Sequence, residues 1–279
     1  MGAVMPYRNT ISLSNAEASF LTTLAANGKQ IFATKDAYDV LGEGKATRDV
    51  LARLADKGWL ERLEKGKYLI VPLEAGPNRT WTEDAYVIAG HLVSRGTVGY
   101  WSALNYWNLT EQVPRVTYVQ TTARKERRTP QVLGMRFRIV RVKPRKFFGC
   151  HAFRAGEFQI KVTDREKTIV DCLDRPELSG GVAQVSEALL EGDEDFNWDR
   201  MTDYLRCFGS GAVVKRLGFL VESVELTHPP KRAILHEWLD LLTAGISRLD
   251  PSTPRKSHRI ATRWRIEINL PEEGLRGQT

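Results

Sequence analysis

The stretch GKATRDVLARLADKGWLERLEKGKYLI, residues 44–70, leaves a chain little choice of local fold. From Lys45 onward, Thr47, Val50, Leu51 and Leu54 recur at helical spacing on one face, while Lys45, Arg48, Asp49, Ala52, Arg53 and Asp56 take the opposite face. Gly58 supplies a stop. Two extended runs, 59–63 and 67–71, then bracket Glu64-Lys65-Gly66, and Gly66 can adopt the positive φ of a tight hairpin turn. Trp59, Leu63 and Tyr68 read as packing residues of that hairpin.

Upstream, SNAEASFLTTLAANG opens with a capping box in which Ser14 caps the helix and Glu17 reaches back to it. Ala18, Leu21, Leu24 and Ala25 keep helical spacing, and Gly28 ends the run. QIFA is a short strand, and Thr34 is placed to cap a second helix, KDAYDVLG, that Gly42 closes. Helix, strand, helix, short turn, helix, hairpin is the order of a winged helix-turn-helix. There the second helix of the pair enters the major groove, with its N-terminal residues at base edges. Arg48 can then reach guanine bidentately. Lys45 and Arg53 can hold phosphates, and Lys65 and Lys67 can touch backbone or minor groove. A winged helix also serves as a protein-docking module, and Asp49 and Asp56 on the outer face repel phosphate. Both readings stand at this point.

Charge bears on the choice. The chain has 279 residues and a formal net charge of +7. Residues 1–76 carry only +1, residues 77–123 carry 0, residues 147–230 carry −6 and residues 231–279 carry +3. The excess sits in RKERRTPQVLGMRFRIVRVKPRK, residues 124–146, at +9. Such density neutralises several phosphates, each adding affinity and salt sensitivity. Its segregation from an acidic block favours a nucleic-acid partner over a merely solvated loop.

The remainder reads as a larger mixed α/β domain, so the fold class is α+β. A turn-rich linker, PLEAGPNRTW, separates residues 1–76 from residues 77–279. A helix capped by Thr82 and an aromatic helix over 100–110 follow. RVTYVQTT, MRFRIVRV and EFQIKVT are strands. DREKTIVDCLD is a helix started by Asp164, with further helices at 179–191, 198–208, 212–222 and over KRAILHEWLDLL. RLDPSTPRKSH reads as a connector. Trp264, Ile266, Ile268 and Leu270 alternate with Arg263, Arg265, Glu267 and Asn269, the pattern of a half-buried strand.

No catalytic residue, cofactor or metal is expected. GSGAVVKRLG lacks the Lys-Ser/Thr of a phosphate loop, and HEWLD falls one residue short of HExxH. Asp193-Glu194-Asp195 lacks a nucleotidyltransferase signature before it, and Cys150-His151 is an isolated pair. Cys150, Cys172 and Cys207 are odd in number and widely spaced, which disfavours disulfides. The opening MGAVMPYRNT is too polar for a signal peptide, and no apolar run approaches the roughly 18 residues of a membrane span. A soluble chain in the cytoplasm, with no membrane partner, is expected.

Within this frame, LARLADKGWLERLEKGKYLIVP, GYWSALNYWNLTEQVP, VTYVQTT and TDREKTIVDCLDRPELSGGVAQVSEAL resemble the AbiEi-type antitoxins, the transcriptional regulators of type IV toxin–antitoxin pairs, over about residues 16–226. The resemblance implies repression of its own promoter through inverted repeats bound by the winged helix. It also implies a C-terminal domain needed for antitoxin action and a nucleotidyltransferase-like toxin encoded alongside, which need not be held in a stable complex. Carried onto this chain, the DNA role falls on Lys45, Thr47, Arg48, Arg53, Lys65 and Lys67. Charge alone adds Arg124, Lys125, Arg127 and Arg128. The protein would be a monomer in solution or a dimer on double-stranded DNA. The alternative is a module that neutralises a partner enzyme by direct contact, docking through the acidic 147–230 region. The tail after about residue 229 lies outside the resemblance.

Overall fold

A computed structural model of the protein describes residues 12–73, 85–93, 95–125, 128–155, 158–254 and 259–270. The boundary expected at 76/77, the cap at Thr82, Arg127 and part of the connector (255–258) lie outside the described residues. By its contacts the chain divides into two units, residues 1–83 with 131–134 and residues 84–130 with 135–279.

The first unit runs α1 (Asn15–Ala26), β1 (Ile31–Ala33), α2 (Thr34–Leu41), α3 (Lys45–Lys57), β2 (Leu60–Glu64) and β3 (Lys67–Ile70). This is the order expected above. The strands form an antiparallel sheet in the order β1-β3-β2. Phe20, Leu24, Phe32, Leu51, Leu54 and Leu60 fill its core. Phe32 is the hub, meeting Phe20 edge-on at 5.9 Å and stacking on Tyr68 at 5.7 Å. Each such buried side chain contributes about 1.5–3 kcal/mol, which is how three very short strands hold together. The capping box of α1 forms: Glu17 N–H donates to Ser14 Oγ, and Ser14 N–H to Glu17 Oε2 at 2.9 Å.

Thr34 does not cap α2. It is the first helical residue, and the Asp36 carboxylate caps instead, accepting from Ala33 N at 2.7 Å. Strand β1 runs straight into the helix, because Ala33 is still paired with Lys67. Thr34 is left to donate from its N–H and its hydroxyl to Gly66 O, at 2.8 and 3.2 Å.

Beyond residue 84 the chain runs α4 (Ala85–Leu92), β4 (Thr97–Val98), α5 (Tyr100–Tyr106), β5 (Val116–Thr121), β6 (Gln131–Val132, counted with the first unit), β7 (Met135–Arg141), β8 (Cys150–Ala155) and β9 (Phe158–Thr163). Then come α6 (Arg165–Asp174), α7 (Val182–Glu191), α8 (Trp198–Phe208), α9 (Gly211–Ser223), α10 (Arg232–Asp240), β10 (Ser247–Arg248), β11 (Ile260–Ala261) and β12 (Ile266–Glu267). Within the second unit a mixed sheet has the strand order β7-β5-β4-β9-β8, and β10-β12-β11 form a small second sheet.

Helix α6 is buried over residues 166–173 and is packed by α5, α7, α8 and α9. Asp164 caps it as expected, accepting from Lys167 N at 2.8 Å, while Tyr204 on α8 donates to the other carboxylate oxygen at 2.6 Å. Its polar side chains are satisfied inside. Lys167 pairs with Asp171, and Gln120 Nε2 on β5 donates to Asp171 Oδ2 at 2.5 Å. Burial pushes the Asp171 carboxyl up, against the opposing pull of Lys167. From α9, the Arg216 guanidinium donates to the orphan carbonyl of Leu173 at 2.7 Å and to Arg248 O at 3.1 Å.

Two expectations are corrected here. The aromatic helix ends at Tyr106 rather than 110: Asn108 takes φ 55, and the Trp107 indole leaves the helix to donate to Thr163 O at 2.7 Å. The terminal segment is a strand only over Ile266–Glu267, and it is buried on both faces there rather than half-buried. Trp264, Ile266 and Ile268 are buried, but so are Glu267 and Asn269. Asn269 turns inward because its side chain binds both N–H and C=O of Asp250, at 2.9 and 2.7 Å.

The tail beyond residue 229 is part of the core: Trp238, Leu249, Trp264 and Ile266 join the cluster around α6. A Cβ at Gly218 would lie 2.2 Å from the Trp264 ring, so only glycine lets α9 pack this closely on the indole.

Candidate nucleic-acid interface

The exposed side of α3 is built by what its other side buries. Thr47, Leu51 and Leu54 face the core. Thr47 is 2% exposed, and its hydroxyl donates to Gly42 O at 2.6 Å, fixing the turn between α2 and α3. Its side chain is therefore unavailable to a base. The helical phase, four residues before Leu51, already pointed inward. Lys45, Arg48, Asp49, Ala52, Arg53 and Asp56 are exposed. Among the described residues, Lys45 and Arg48 make no ion pair.

Arg53 has a second employment. Its Nε stands 3.7 Å from Glu17 Oε1, while Lys57 Nζ binds Glu17 Oε2 at 2.7 Å. The Lys57 hydrogen bond, then the Ser14 N–H, hold the Glu17 carboxyl down to about 2. A buried carboxylate thus ties the start of α1 to the end of α3 and sets the pose of α3 in its own unit.

Lys65 is exposed in the two-residue turn, with Gly66 at φ 75. The Thr34 hydrogen bonds to Gly66 O fasten that turn to the start of α2. Lys67 is half-buried and paired with Ala33 and Glu64 in the sheet. Lys65 is accordingly the more accessible of the two wing lysines.

In the second unit, Arg124, Arg128, Arg136, Arg138, Lys143 and Arg145 are exposed and make no ion pair among the described residues. Arg136 and Arg138 alternate on β7 with the buried Phe137 and Ile139. Strand periodicity itself therefore turns their charge outward. Lys125 is half-buried, its Nζ 3.5 Å from Leu92 O. Lys146 is bound to Asp174 at 2.6 Å and lies over the Phe208 ring at 4.3 Å.

The acidic block of 147–230 is partly internal. Glu166 accepts from Asn197 N at 2.8 Å, Asp193 accepts from Thr227 N and His228 N, and Asp164 and Asp171 are engaged around α6. Its formal charge thus overstates what it offers a basic partner. Asp193, with its carboxylate on backbone N–H groups, is not poised for a divalent ion. Among the described residues no group of three or more His, Cys, Asp or Glu could hold a metal ion. No helix among them is long and apolar enough to cross a membrane. Glu237 of HEWLD pairs with Arg206 at 2.6 Å on the surface.

No curated protein matches the chain. Among solved structures, the crystal structure of the RV2827C protein from Mycobacterium tuberculosis is similar, with a TM-score of 0.64 at 16% identity, covering 95% of this chain and 94% of that one. At this identity the likeness speaks for the fold, and it takes in the tail as well. Residues 19–71, from α1 through the hairpin, match the family described as "Transcriptional regulator, AbiEi antitoxin".

Proposed function

We propose that the protein is a DNA-binding transcriptional regulator and antitoxin that represses its own promoter through inverted repeats. It counteracts a nucleotidyltransferase-like toxin encoded beside it, without a stable complex being required. One observation carries the reading: the segment matched by the regulator family presents Lys45 and Arg48, exposed and without an ion pair among the described residues, at the N-terminal end of α3, with Lys65 exposed in the adjoining hairpin turn. The N-terminal part of the second helix of such a pair meets base edges. Arg48 supplies a bidentate donor for guanine. Lys45 and Lys65 supply phosphate contacts, with Arg53 at the rim. The cations of residues 124–146 add sequence-independent attraction through counterion release. The inverted repeat is met by two copies, one per half-site. No chemical step is assigned to any residue, and the site of action is the cytoplasm.

The test is binding to the DNA upstream of its own gene. Wild-type protein should bind an inverted repeat there, with affinity falling steeply as salt rises. Arg48→Ala combined with Lys65→Ala should weaken operator binding by at least tenfold. Unchanged operator affinity in that double variant would remove α3 and the wing from the interface.

A further inference from the structure

We propose that Asp49 is a specificity-determining residue that reads cytosine in the major groove beside the guanine contacted by Arg48. This rests on the DNA-binding reading above and goes a step beyond it, by giving an acidic residue a direct role in base choice.

Double-stranded DNA carries one negative charge per roughly 1.7 Å of axis. An exposed carboxylate on a groove-facing helix is therefore repelled unless it gains a specific contact. The exposed arc of α3 holds two acids, Asp49 and Asp56. They are seven residues apart, about 10 Å along the axis. Asp56 sits in the last turn, away from the end that meets base edges. Asp49 sits one residue after Arg48, within the first turns.

Asp49 is also free to act. The two cations one helical turn away, Lys45 and Arg53, are spaced to neutralise it. Neither does so: Lys45 makes no ion pair among the described residues, and Arg53 leans to Glu17 at 3.7 Å. The carboxylate keeps its acceptor capacity, while the flanking cations offset its repulsion from phosphate. In the major groove cytosine presents the N4 amino donor, which an acidic side chain accepts. Ala52, one turn on and exposed, leaves room for the helix to approach the groove floor.

The experiment is selection of bound sites from a randomised duplex pool by wild type, Asp49→Asn, Asp49→Ala and Asp56→Asn. Wild type should enrich a half-site with cytosine at one position next to an invariant guanine. Asp49→Asn should lose that cytosine preference and gain adenine there. Asp49→Ala should accept all bases at that position, a loss of discrimination of roughly 5- to 150-fold. Both should bind unrelated duplex more tightly than wild type. Asp56→Asn should keep the wild-type preference. Enrichment of one and the same site by wild type and both Asp49 variants would overturn the assignment and leave DNA binding standing. Absence of any enriched site with wild type would overturn the DNA-binding reading, and this assignment with it.

Discussion

The outer face of α3 and the segment 124–146 are both basic, yet they are composed in opposite ways. On α3 the cations Lys45, Arg48 and Arg53 alternate with Asp49 and Asp56, and the surrounding residues 1–76 carry only +1. Residues 124–146 carry +9 with Glu126 as the single acid. A mixed face on a rigid helix is suited to discrimination, because each donor and acceptor meets a defined base edge. A face of one sign attracts any phosphate backbone. The difference teaches that net charge and recognition need not reside in the same element. A chain can take most of its affinity from one place and its base choice from another.

The largest effect that would break this comparison is loss of the one-sign segment. Replacing Arg124, Arg128, Arg136 and Arg138 by alanine should lower the log–log salt slope by about 3 to 4, since each phosphate no longer neutralised removes about 0.9. Operator affinity should fall by orders of magnitude while the selected sequence stays the same. Filter binding across a salt series measures the slope; a slope equal to that of wild type would show that these arginines do not face DNA.

Next in size is the ion pair that poses α3. Glu17→Gln removes the carboxylate from Lys57 and should cost about 1–3 kcal/mol, the range for losing a buried charged hydrogen bond. The pH dependence has a definite sign. The Glu17 carboxyl titrates at about 2 in the folded chain against an ordinary 4.5. Its contribution is therefore present above pH 4.5 and is lost as pH falls toward 2. Denaturant melts of the two proteins should differ at neutral pH and converge in acid; a gap that stays constant down to pH 2 would contradict the assignment.

The smallest effect sharpens the boundary between packing and base contact on α3. Thr47→Val keeps the shape but loses the bond to Gly42 O, and should cost about 0.5–1.5 kcal/mol of stability. Site selection should be unchanged. A shifted base preference in this variant would return Thr47 to the interface.

The sequence exposed some of this structure plainly and concealed the rest for physical reasons. Helix α8 was legible to the residue because Asn197 caps it, accepting from Arg200 N at 2.9 Å, and Gly209 closes it in the left-handed region. Both signals are local. Strand β8 was missed: Cys150, His151 and Ala152 are all exposed on an edge strand, so no alternation of polarity marks it. Lys215 and Arg216 look like surface residues in GSGAVVKRLG, yet both are buried. They cap carbonyls 29 to 43 residues away, at Ala244, Gly245, Arg248 and Leu173. Such partners are set by tertiary packing and leave no periodic trace.

The candidate site divides in the same way. The exposed α3 cations followed from helical phase. Thr47 entered the expected contacts through family resemblance, against its own phase, and the structure turns it inward. Within 124–146 the alternation of Arg136 and Arg138 against Phe137 and Ile139 followed from the strand expected over MRFRIVRV, whereas the half-burial of Lys125 and the pairing of Lys146 with Asp174 needed the structure.

The most direct test of the division between choosing and attracting is a paired site selection on two variants, Arg48→Ala and the fourfold arginine variant of 124–138, each with its salt slope. Arg48→Ala should change the selected sequence, by about 1–3 kcal/mol at the guanine position, and shift the slope by no more than about 1. The fourfold variant should keep the sequence and lose about 3 to 4 of the slope. The reverse pattern, with base preference following 124–138 and indifferent to Arg48, would contradict this division.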